Sequence, residues 1–174
     1  MDDEEAKPPR TRIGAIFAVV VVVGTLVMWI YLFLIADPGV PDQLEDEAFA
    51  ADGQDICHAA VEQIDDLPPA REAETPEDRA PVVAEANEIL TEMVADLRDI
   101  APTEGTDGRV TRLWLEDWDT YIGDREEYAD ALADGEEAEL LVTAREGGGT
   151  QITETIDHFA EINDMEDCAV PLDV

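Results

Sequence analysis

The chain contains no serine, and that absence removes every serine nucleophile, including the strand–turn–helix G-x-S-x-G arrangement. Lysine is nearly missing as well. Lys7 is the only one, so the rest of the chain cannot form a Schiff base. There are two cysteines, Cys57 and Cys168, and two histidines, His58 and His158. If the cysteines pair with each other, no free thiolate remains. Neither histidine sits in a known motif, and phosphate loops, calcium loops of the EF-hand type and H-E-x-x-H are all absent. Cys57, His58 and Cys168 lack a fourth ligand at any recognised spacing, so neither a metal site nor a cofactor is expected. Positive charge is scarce too: ten Lys and Arg face 44 Asp and Glu across 174 residues, for a net charge of −34. Such a polyanion repels nucleic acid, which excludes DNA and RNA as partners, and it meets anionic lipid headgroups unfavourably.

Carboxylates are what the chain has in quantity. Their mutual repulsion opposes compaction, and concentrated salt relieves it because the Debye length falls to roughly 3 Å near 1 M. An acidic, lysine-poor composition with a pI near 4.1 therefore fits salty surroundings. Neutralisation by hydrated cations or by a basic partner, or a solvated face that keeps the domain soluble, would account for the same composition. Two carboxylates about 5–9 Å apart in a cleft can hydrolyse a glycoside. With so many to choose from, no pair stands out.

One stretch carries no charge at all. The run from Ile13 to Ala36, IGAIFAVVVVVGTLVMWIYLFLIA, would extend about 36 Å as a helix, enough to cross a hydrocarbon core of roughly 30 Å with some tilt. Trp29 and Tyr31 lie towards its far end, where aromatic rings favour an interface. Lys7, Arg10 and Arg12 precede it, whereas Asp37, Asp42, Glu45 and Asp46 follow, so the positive-inside rule puts the N-terminus in the cytoplasm. A cleaved signal peptide has a much shorter apolar region. The expected organisation is a cytoplasmic tail over 1–12, a transmembrane helix over 13–36, an acidic stalk over 37–54 and an extracytoplasmic helical domain over 55–174.

In that domain, periodicity predicts four helices. Ile56, Ala60, Ile64 and Leu67 form a stripe on the first, from about Asp55 to Asp66, ended by Pro68 and Pro69. Thr75, Pro76 and Asp78 form a start signal for the second, whose buried face is Val83, Ala86, Leu90, Met93, Leu97 and Ile100. The third runs from about Val110 to Ala133 with Gly135 as its stop. The last, from about Thr155 to Asn163, presents Ile156, Phe159 and Ala160. Between the third and last, Leu140, Val142 and Ala144 alternate ahead of three glycines, which favours one short β-hairpin over the helix that EEAELL would also support. The fold class is therefore mainly α: one N-terminal transmembrane helix plus a small antiparallel helical domain, with at most one hairpin.

Two features invite chemistry. In an oxidising compartment Cys57 and Cys168 would form a disulfide, and the loop it closes is long enough for roughly 4–5 kcal/mol of stabilisation on the chain-entropy argument. On the third helix Trp114, Trp118, Tyr121, Arg125 and Tyr128 share one stripe. Such a stripe is ordinarily core, with Arg125 paired to Asp124 or Asp117. As a ligand-binding candidate, it would be a shallow aromatic pocket with a guanidinium at its mouth for a small anionic ligand.

The segments DWDTYIGDREEYADAL and LLVT, then ITETIDHFAEINDM and a cysteine shortly before Pro171, resemble a family of single-pass membrane proteins from high-GC Gram-positive (actinobacterial) bacteria. The resemblance implies the same order of basic tail, anchor, helical outer region and C-terminal cysteine, at the cell membrane with the C-terminal domain outside. It implies no catalytic residue. The expected function is an envelope interaction module, not an enzyme, with the membrane and an envelope protein as partners. A sensor of a cation or small anion that signals through a membrane partner is the alternative, and a carboxylate-dependent hydrolase a further one.

Overall fold

A computed structural model describes the backbone over residues 10–30, 41–145 and 149–171, with side chains of the first stretch from residue 16 onward. The chain divides into two compact units, Met1–Gly39 and Val40–Val174. The first contains helix α1, Arg10–Ile30. Its described side chains are apolar nearly throughout and every one is exposed, Phe17 at 70% and Val20 at 62% among them. Among the described residues no helix is long and apolar enough to cross a membrane. The remainder of the apolar run, at 13–15 and 31–36, lies outside the side chains described, as do the tail over 1–9 and the stalk's first residues, 37–40.

The second unit contains four α-helices among the described residues: α2 (Glu47–Asp65), α3 (Pro76–Ile100), α4 (Gly105–Ala133) and α5 (Ile152–Ile162). Helix α2 begins well before the expected start near residue 55. The Asp46 carboxylate accepts the backbone N–H groups of Ala48 and Phe49, both at 3.1 Å, which satisfies two of the orphan donors at a helix start. The inward face is Phe49, Gly53, Cys57, Ala60 and Ile64, whereas Ile56 and Leu67 are only half-buried. Much of the expected stalk is thus part of the packed unit.

Helix α3 starts as its sequence predicts, with the Thr75 hydroxyl accepting from Asp78 N–H and Pro76 at the first turn. It ends at Ala101, whose extended backbone precedes Pro102, because a proline ring disfavours helical geometry in the residue before it. Val83, Ala86, Leu90, Met93 and Leu97 are buried, but Ile100 is exposed. Helix α4 ends in a paired C-terminal motif: Gly135 N–H bonds to the Leu132 carbonyl and Glu136 N–H to that of Ala131, both at 3.0 Å. Gly135 takes φ +78°, a conformation open to glycine, as that motif requires.

Helices α3 and α4 pack antiparallel through a four-residue connection and form the most extensive contact in the unit; α2 lies against α3, and α5 against α4. The main core joins α2, α3, α4 and α5 with the short turn Glu166–Cys168, and a smaller cluster of Ala80, Val83, Ala129 and Leu132 closes the far end of the α3–α4 pair. Gly108 is buried where the connection folds back on α4. A Cβ there would stand 2.6 Å from the Thr103 carbonyl carbon and 2.9 Å from the Pro102 oxygen.

The expected hairpin reduces, among the described residues, to a single bridge between Ala144 and Gln151. Two ladder hydrogen bonds flank that bridge, from Arg145 N–H to the Thr150 carbonyl at 2.9 Å and from Ile152 N–H to the Thr143 carbonyl at 3.0 Å, whereas Thr143 donates its own N–H at 2.7 Å and its hydroxyl at 2.8 Å to the Asp124 carboxylate. Residues 140–145 run extended along α4, with Leu140 and Val142 against the core and Leu141 80% exposed. The turn at 146–148 lies outside the described residues.

Cys57 and Cys168 are bonded, with S–S 2.02 Å, and both are fully buried. The disulfide ties the end of the unit to the middle of α2. Replacing both cysteines with alanine is expected to lower the unfolding free energy by about 4–5 kcal/mol, read by urea unfolding with tryptophan fluorescence; a loss below about 1 kcal/mol would contradict this. Gly108→Ala is expected to cost about 1–3 kcal/mol in the same assay, because its Cβ meets backbone that cannot turn aside, and an unchanged midpoint would show the connection to be slack.

Candidate functional site

The aromatic stripe of α4 is a continuous interior column. Trp114 stacks on Phe159 of α5, with centroids 4.6 Å apart and planes 22° apart. Trp114 also meets Trp118 edge-on at 6.5 Å, and Trp118 meets Tyr121 edge-on at 5.8 Å. These are the offset and T-shaped geometries that ring quadrupoles favour. The Arg125 guanidinium lies over the Tyr121 ring at 5.7 Å, and Arg79 lies over the half-buried Tyr128 at 5.6 Å. Trp114, Trp118, Tyr121 and Arg125 are each no more than 2% exposed. Four residues of the stripe therefore meet within the core, while Tyr128 packs half-buried against the smaller cluster.

Arg125 has a partner that its sequence neighbours do not suggest. Its Nε donates to Asn87 Oδ1 at 2.7 Å, and Nη1 reaches the Tyr121 hydroxyl at a long 3.4 Å, while Nη2 has no partner. Arg125 forms no ion pair among the described residues. The two carboxylates expected to pair with it serve the chain packed on α4 instead. Asp124 holds Thr143, and Asp117 Oδ2 accepts from Arg145 at 2.7 Å and from the Thr155 hydroxyl at 3.1 Å. Asn87 is the side chain that sequence reasoning missed. The signal was there: one of the chain's two asparagines falls on the apolar face of α3, between Ala86 and Leu90. The other, Asn163, is buried as well; it accepts Leu44 N–H at 2.8 Å and donates to the Asp42 and Phe159 carbonyls.

The two histidines lie in separate places. His58 Nδ1 lies 2.9 Å from Asp167 Oδ2, which also accepts from Gln54 Nε2 at 2.7 Å. This cluster sits beside the disulfide and pins the final turn to α2, with no nucleophile at hand. His158 lines a cavity of about 80 Å³ with Asp42, Asp117, Arg145 and Thr155, floored by the Trp114–Phe159 stack. Ligand pockets measure roughly 300–1,000 Å³, so this one fits a few waters rather than a substrate. Among the described residues no group of three or more His, Cys, Asp or Glu side chains could hold a metal ion. Compared with known protein families, curated proteins and solved structures, the chain matches none.

Arg125→Ala leaves Asn87 Oδ1 buried without its donor and opens a void, and it is expected to cost about 2–5 kcal/mol. The check is urea unfolding of the variant beside Arg71→Ala, whose side chain is on the surface. Equal midpoints for the two would mean that the buried guanidinium contributes nothing.

Proposed function

We propose that this protein is a membrane-anchored interaction module of the cell envelope, with its N-terminus in the cytoplasm, its helical unit outside and no catalysis of its own. The disulfide carries this reading. A buried Cys57–Cys168 bond belongs to an oxidising compartment, and the unit that contains it follows a helix whose described side chains offer only apolar surface to their surroundings. Hydrocarbon accepts such a surface and water does not. Arg10 and Arg12 before the apolar run and the acidic residues after it give the direction.

The commitment of the α4 aromatics to the core favours surface recognition over chemistry in a cleft. The surface offered is dominated by carboxylates, so the partner has a basic face and binds less tightly as salt is raised.

In cells, the full chain is expected to stay with membranes through alkaline carbonate extraction, to shift on non-reducing gels, and to lose its C-terminal unit to protease added outside. Affinity capture in mild detergent is expected to enrich an envelope protein that elutes with salt. Release by carbonate would remove the anchor from the proposal, and capture that enriches no envelope protein would remove the partner.

A further inference from the structure

Seven arginines supply the formal positive charge beyond the apolar run, and the fold distributes them unevenly. Arg125 is interior, Arg79 lies over Tyr128, and Arg145 is bound to Asp117. Three of the other four, Arg98, Arg109 and Arg112, line one open groove of about 650 Å³ where α3 turns into α4. Arg98 comes from the last turn of α3, and Arg109 and Arg112 stand three apart near the start of α4. They meet because the connection folds tightly over Gly108, which lies in the same groove.

Two of these guanidiniums are only loosely engaged. Arg98 Nη2 bonds to both Asp119 oxygens, at 2.9 and 3.0 Å, and Arg112 to Glu116 at 2.6 Å, all four side chains about half-exposed or more. Exposed pairs of this kind are weak, so a stronger anion can displace the carboxylates. Arg109 is exposed and forms no hydrogen bond or ion pair through its side chain among the described residues. Here three cations outnumber two carboxylates, on a unit where the reverse holds more than fivefold. The first turn of α4, which has no side-chain cap, adds the positive end of a long helix dipole.

We propose that this groove binds a phosphate group. A carboxylate ligand would gain little, because the groove already contains two and could exchange one only for its like. A phosphate monoester carries about −1.5 to −2 charges on three acceptor oxygens, enough to engage two or three guanidiniums together. The surrounding carboxylates also select for size. A long polyanion would run out of the groove onto like charge, whereas a compact phosphate would not. Free phosphate and the phosphate of a lipid headgroup share this chemistry. The assignment does not depend on the anchor.

The test uses the full chain in neutral detergent, titrated calorimetrically with inorganic phosphate at constant ionic strength. Saturable binding at one site is expected, weakened about tenfold or more in Arg109→Ala/Arg112→Ala and within about twofold of the parent in Arg71→Ala. Circular dichroism should give the same helix content for all three. Hydrogen exchange in vesicles then separates the sources. Slowed exchange over residues 105–112 in vesicles containing phosphatidic acid, relative to phosphatidylcholine alone, assigns the headgroup; slowing only when inorganic phosphate is added assigns the free ion. Absence of saturable binding, or binding that survives the double substitution, overturns the proposal. So does an arginine-dependent dimer without phosphate, because the groove would then be filled by the acidic face of a second copy.

Discussion

Carboxylates repel one another wherever a fold puts them, and residues 37–174 contain forty against seven arginines. A chain under that constraint becomes compact only if its carboxylates are turned outward or given donors. The unit Val40–Val174 does both. Asp46 caps α2, Asp107 accepts the N–H groups of Glu45 and Asp46, Asp124 accepts that of Thr143, and Asp157 that of Val170. In each case an aspartate closes a backbone donor that a sheet or turn would otherwise have to satisfy, and the connections are fastened to helices by the most abundant kind of side chain available. A charge-assisted bond of this sort is short and survives added salt, whereas repulsion between exposed carboxylates is screened. Rising ionic strength therefore removes more of what opposes the fold than of what holds it.

The buried guanidinium of Arg125 has no carboxylate bonded to it among the described residues. A lone buried guanidinium would ordinarily cost several kcal/mol. Asn87 and the Tyr121 face supply the short-range contacts, and no single carboxylate has to be buried beside it. Asp117 and Asp124 are thus left to hold the 140–155 segment on α4.

What the sequence made legible follows from which forces act locally. Helices α3 and α4 could be read because period and start and stop signals coincide: Thr75–Pro76 at one end, Gly135 at another, and apolar residues every three or four between. The disulfide was legible because only one pairing exists. The start of α2 was obscured by acidic residues that look like a stalk, although Phe49, Gly53 and Cys57 continue the buried stripe upstream. The alternation at 140–144 marked the arm that meets Gln151 in a single bridge, but the Thr143 donors go to a side chain on another helix, which no local pattern reveals. For the candidate site, spacing assembled the aromatic column, yet it could not say that α5 would cover it. Nor could it bring Arg98 next to Arg109 and Arg112, since that depends on how closely residues 101–104 fold onto Gly108.

The cross-link also decides how the helical unit bears load. Tension arriving along the chain from the N-terminal side first meets the contacts of Asp42 and Leu44 with Asn163 and of Glu45 and Asp46 with Asp107. Once these part, α2 can unravel only as far as Cys57, a run-out of roughly 50–60 Å at full extension. From there force passes through sulfur to Cys168, and helices α3, α4 and α5 lie inside the closed loop, off the line of pull. A unit so built, pulled between its two ends, gives a limited length of slack and then stops, with most of its packed helices still intact.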